Sequence, residues 1–116
     1  MNISLTKEAD YLICELYHVY LNNRKTKIPK VQARNFGNLS RIIEKLSLKN
    51  WLPEDIEETC LELHRAGLLI CETGDNTITN AQLTDDGVIY MEHRFSNNLA
   101  SILEHINQVK SLISFI

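Results

Sequence analysis

The stretch Glu58-Thr59-Cys60-Leu61-Glu62-Leu63-His64-Arg65-Ala66-Gly67-Leu68-Leu69 reads as a helix that stops and hands over to a strand. Gly67 marks the stop. The residue just past a helix end commonly takes left-handed backbone, which glycine reaches without a Cβ clash. A second stretch, Leu83-Thr84-Asp85-Asp86-Gly87-Val88-Ile89-Tyr90-Met91-Glu92, reads as the reverse, a strand that gives way to a helix. Thr84 is a good N-cap, and Asp85 and Asp86 put negative charge on the positive end of the helix dipole. Between the two lie Leu68-Leu69-Ile70-Cys71 and Thr77-Ile78-Thr79-Asn80-Ala81-Gln82-Leu83, separated by Gly74-Asp75-Asn76. Two short strand-like runs around such a turn predict a β-hairpin.

Upstream, Trp51-Leu52-Pro53-Glu54-Asp55 is a helix start, with proline at the first helical position and acids behind it. This third helix runs to Ala66 and buries Ile56, Cys60 and Leu63. Asn38 caps a second helix that carries Leu39, Ile42, Ile43 and Leu46 on one face and ends near Ser47. Residues 23–37 hold Pro29 and Gly37 and have no helical period, so they predict a loop, with one short strand around Ile28–Val31. The first helix spans 6–22. Thr6 caps it, Glu8 and Asp10 fill its first turn, and Leu5, Ala9, Leu12, Ile13, Leu16, Tyr17 and Tyr20 form its buried face. Asn22-Asn23 is expected to end it.

Downstream, the helix after Thr84 continues past Arg94. The cluster Ser96-Asn97-Asn98 either breaks it or starts a fresh register. Leu99, Ile102, Ile106, Val109, Ile113 and Ile116 then follow at steps of 3, 4, 3, 4 and 3, an a/d seam widened by Leu103, Leu112 and Phe115. An apolar seam on a helix that extends beyond a small domain needs a partner, and a second copy of the chain is the expected one.

At 116 residues and 44 % hydrophobic composition, the chain is long enough for one core and is not a disordered polymer. There is no run of eighteen apolar residues to span a membrane, and the first residues lack a basic and then apolar leader. A cytoplasmic protein is expected, with Cys14, Cys60 and Cys71 as reduced thiols. Charge is unevenly placed. Segment 24–49 carries eight basic residues against Glu44, a net of +7, while segment 54–104 carries eleven acids against Arg65 and Arg94, a net of −9. One basic face and one acidic face follow from that.

The order helix, helix, helix, hairpin, helix resembles a winged helix-turn-helix domain. The phrase from Glu58 to Leu69 is similar to the "xELxxAGLI" phrase that ends the third helix of such domains, and Leu83 to Glu92 is similar to their "LTxxGxxYxE" phrase. The chain also resembles the small YjcQ-like winged-helix proteins of Gram-positive bacteria and their phages, through Ala33-Arg34-Asn35-Phe36-Gly37, the helix after Pro53, and Tyr90-Met91-Glu92-His93-Arg94-Phe95. The resemblance implies a mainly α fold with a small β-hairpin and a winged helix-turn-helix domain over 1–95, and the apolar seam adds a C-terminal dimerisation helix over 96–116. The resemblance also implies a DNA-binding regulator of transcription.

In that role the third helix enters the major groove, where Thr59 and Arg65 are the side chains to reach base edges. Phosphates are left to Arg24, Lys25, Lys27, Lys30, Arg34, Arg41, Lys45 and Lys49. The same helix carries Glu54, Asp55, Glu57, Glu58 and Glu62, which phosphates repel. The alternative is therefore a protein-interaction module that uses this acidic helix and binds no DNA. Cys14/His18 and Cys60/His64 have the i, i+4 spacing of metal ligands, but Cys60 shares a face with Ile56 and Leu63, where a thiol is ordinary core filler. No metal, cofactor or catalytic site is expected, since no phosphate loop, HExxH or GxSxG occurs.

Overall fold

The computed structural model describes residues 3–113. Among them, six helices surround a small three-stranded antiparallel sheet. The first helix, α1 (Lys7–Lys25), starts where Thr6 accepts from the Ala9 N–H. It runs past Asn22-Asn23 to Lys25. Arg24 and Lys25 suit its C-terminal dipole, and Thr26 closes it by donating its hydroxyl to the Asn23 carbonyl. Residues 23–37 are more ordered than their lack of period predicts. Pro29, at φ −55°, opens one helical turn, α2 (Lys30–Ala33), in place of the strand expected at Ile28–Val31. The strand lies later, as β1 (Asn35–Gly37), with Phe36 buried.

The helix α3 (Leu39–Leu46) has the Asn38 cap and ends at Ser47 in left-handed backbone. The helix α4 (Pro53–Arg65) is the third helix of the sequence reading. It closes with the Gly67 N–H on the His64 carbonyl and the Leu68 N–H on the Leu63 carbonyl, at 3.0 Å each. Gly67 has φ +81° and nothing within 4 Å of where a Cβ would stand, so its backbone conformation alone asks for glycine.

The hairpin forms as expected, from β2 (Leu69–Gly74) and β3 (Thr77–Leu83). Asp75 and Asn76 both have positive φ, the two-residue turn whose twist matches antiparallel strands. The β3 strand is central, in the order β1-β3-β2, with Asn35 opposite Gln82 and Leu69 opposite Leu83.

The helix α5 (Asp85–Phe95) is tied to the end of α4 through Thr84, which donates its hydroxyl to the Gly67 carbonyl at 2.6 Å and accepts from the Gly87 N–H. A Cβ on Gly87 would lie 2.3 Å from the Leu68 carbonyl oxygen, so this close approach requires glycine. Ser96 and Asn97, both at positive φ, end α5, and Asn98 caps a separate helix, α6 (Leu99–Lys110).

The C-terminal seam is corrected in one respect. Ile102, Ile106, Val109 and Ile113 are buried in the chain's own core, with α6 packed along α1. A twin is not needed to cover them. Leu99 is half-buried, and Ile116 and Phe115 lie outside the described residues. Among the described residues, Leu103 and Leu112 are the exposed large apolar side chains of this end.

Candidate functional site

The outward side of α4 is acidic by sequence and stays so when folded. Glu54, Asp55 and Glu58 are exposed, and Leu52, at the N-cap beside them, is 62 % exposed. Glu8, Asp55, Glu58 and Glu62 line a shallow cleft of about 310 Å³ with Thr6 and Thr59. Glu62 has a structural task there. Its carboxylate accepts from the Thr6 hydroxyl at 2.7 Å and the Thr6 N–H at 3.0 Å, which pins the start of α1 onto α4. Glu57 is half-buried and accepts from the Thr77 hydroxyl beside the hairpin turn.

The two expected groove-reading residues differ in placement. Thr59 is 7 % exposed and donates its hydroxyl to the Asp55 carbonyl at 2.7 Å, so it faces the protein. Arg65 is exposed, but its guanidinium donates to Glu58 at 2.8 Å, one turn-pair back on the same helix. An α-helix places residues seven apart on one face, so this cation sits among the acids rather than apart from them.

The expected phosphate contacts do not converge on one helix. Arg24 and Lys25 end α1, Lys27 follows at φ +65°, Lys30 opens α2, Arg41 and Lys45 lie on α3, and Lys49 lies beyond it. These seven are exposed. Arg34 is half-buried and donates to Asp85 at 2.6 Å. That bond, with the nearby charge of Lys30, holds the Asp85 carboxyl below the usual carboxylate range. Part of the basic excess is thus directed at the first turn of α5. Arg41 and Lys45 line a hollow with Glu44.

A second polar cluster has no local signature in the sequence. Asp10 on α1 accepts from Arg94 of α5 at 2.7 Å through one oxygen and contacts His105 of α6 at 2.8 Å through the other. Arg94 also lies 3.0 Å from His105 Nε2 and stacks on the rings of Tyr90 and Phe95. Burial works to raise the Asp10 pKa, but the bonds and charges of Arg94 and His105 outweigh it, and the net shift is downward. The Cys14 thiol is buried beside Asp10 and pushed up to about 12, chiefly by desolvation. The separations of 84 and 95 residues explain why no local pattern announced this group.

The i, i+4 pairs are not joined. Cys14 meets Asp10 and His105, and among the described residues this is the group with metal-ligating donors close together. His64 instead accepts from the Cys71 N–H on β2, and His18 contacts Asn22. Burial pushes the Cys60 thiol up to about 12 and Cys71 to about 11, so neither is poised as a nucleophile.

No family model matches the chain, and neither a curated protein nor a solved structure matches it. Among the described residues, no helix is long and apolar enough to cross a membrane.

Proposed function

We propose that the chain is a winged-helix binding module that takes a basic segment of another protein on α4, and does not read DNA with that helix. The winged-helix assignment is supported by the order α1-α2-β1-α3-α4-β2-β3, in which α2 is a single turn, and by the sheet order β1-β3-β2. The binding mode rests on the outward face of α4. Glu54, Asp55 and Glu58 point outward, the one arginine of the helix is engaged by Glu58, and Thr59 is turned inward. A phosphate backbone is repelled by such a face, whereas a lysine- or arginine-bearing segment is drawn to it. Leu52 adds an exposed apolar anchor next to the acids. Pairing of two copies through the C-terminal seam is not carried into this proposal, since the seam is occupied within one chain.

The experiment is fluorescence anisotropy with two labelled probes, an arginine-rich amphipathic peptide and a random DNA duplex, at low and near-physiological salt. The peptide is expected to bind, and the triple charge reversal Glu54→Lys, Asp55→Lys, Glu58→Lys to abolish it. Glu62 is left untouched because it anchors α1. Peptide binding that survives the reversal refutes the assignment.

A second proposal is duplex binding through phosphates alone, favoured by the seven exposed basic residues of segment 24–49. It predicts micromolar duplex affinity that falls steeply with salt and is lost in Arg41→Glu, Lys45→Glu.

A further inference from the structure

We propose that Asp10, Cys14 and His105 form a site for a borderline-soft divalent cation of the zinc type, for which the guanidinium of Arg94 competes. The proposal is independent of the surface of α4. Its basis is convergence. A carboxylate oxygen, a thiol sulfur and an imidazole nitrogen from two packed helices lie within 4.8 Å of one another. Cys14 Sγ is 3.8 Å from Asp10 Oδ1, and His105 Nε2 is 2.8 Å from Asp10 Oδ2. Tetrahedral zinc, with bonds of about 2.0–2.3 Å, holds its ligand atoms roughly 3.3–3.8 Å apart. Shifts of about 1 Å bring the three donors to that spacing, and oxygen, sulfur and nitrogen are all zinc ligands.

The scaffold is firm where the ligands attach. Residues 10 and 14 share one face of α1, and His105 stands beside Ile102 and Ile106, which α6 buries. Access comes from the rim, where the Asp10 and His105 side chains keep 20 % and 28 % of their exposure. Water entering from that side would complete a four-coordinate site.

Arg94 is the competitor. Its guanidinium occupies the cation position of the cluster, bonded to Asp10 and touching His105, and rests on the faces of Tyr90 and Phe95 at the edge of the site. Entry of a metal ion requires that guanidinium to move outward, the Cys14 thiol to release its proton to solvent, and the His105 Nε2 proton that faces Asp10 to leave as well, to solvent or by transfer to the Nδ1 tautomer. One metal–sulfur and one metal–nitrogen bond form, one S–H and one N–H bond break, and nothing is oxidised or reduced. Binding therefore weakens as pH falls.

Cobalt(II) is the probe, because a thiolate ligand gives it a near-ultraviolet charge-transfer band and tetrahedral coordination gives strong visible absorption. Titration of the full chain should show both bands at one equivalent, and zinc(II) should bleach them. The charge-transfer band should vanish in Cys14→Ser and persist in the double variant Cys60→Ser, Cys71→Ser. Arg94→Ala should bind cobalt at least about tenfold more tightly, since it removes a like charge a few ångströms away. His105→Gln should weaken binding without unfolding the chain, checked by circular dichroism. Two results overturn the site. One is no charge-transfer band at millimolar cobalt in either the wild type or Arg94→Ala. The other is an unchanged band in Cys14→Ser.

Discussion

Replacing Ile102 by alanine distinguishes a helix that completes its own core from one that waits for a second copy. Ile102 has no solvent exposure and sits on the face of α6 that packs on α1. Truncating a buried isoleucine to alanine loses about 2–5 kcal/mol, from lost transfer energy and the cavity left behind. With an m-value of about 1.5 kcal/mol/M in urea for a chain of this size, the midpoint should drop by roughly 1–3 M. Leu103→Ala, on the exposed side of the same helix, should stay within about 1 kcal/mol. Urea unfolding followed by circular dichroism measures both, with light scattering on the folded samples. The expected pattern is a large midpoint shift for Ile102→Ala, a small one for Leu103→Ala, and the wild-type mass for both. If Ile102→Ala halves the molecular mass and leaves the midpoint in place, the seam joins two chains and the intramolecular account fails.

Three further outcomes follow from the same contacts. The Asp10 carboxyl has a lowered pKa, so the stability it supplies is present above the ordinary value of 3.8 and is lost as pH falls through the lower folded value. Asp10→Asn should cost about 1–2 kcal/mol at pH 7 and flatten the acid limb of an unfolding-midpoint profile. Gly87→Ala drives a methyl into the Leu68 carbonyl and should destabilise by about 1–3 kcal/mol or more, seen as a lower thermal midpoint, whereas an unaltered midpoint would contradict the close approach. Thiol titration with an aromatic disulfide at pH 8 should find Cys14 and Cys60 unreactive until denaturant is added, and half-exposed Cys71 the first to react. Equal rates for all three in the native protein would mean that the core is open.

Local rules settled much of this chain. The caps at Thr6, Asn38 and Thr84, the proline that opens α4, the glycine that closes it and the hairpin all act over a few residues, so short patterns reveal them. The acidity of α4 is also a sequence fact, and it is the basis of the proposed binding mode. The tertiary structure decided what lies across long separations. The strand Asn35–Gly37 exists because it pairs with β3, and three residues are too few to display alternation. The a/d seam has the same spacing whether it meets another chain or α1, and only packing showed that it meets α1. Packing also decided that Thr59 turns inward, whereas Arg65 stays exposed and pairs with Glu58. Asp10, Cys14, Arg94 and His105 come from three helices, and no period in a linear chain encodes a meeting of side chains that only the folded core brings together.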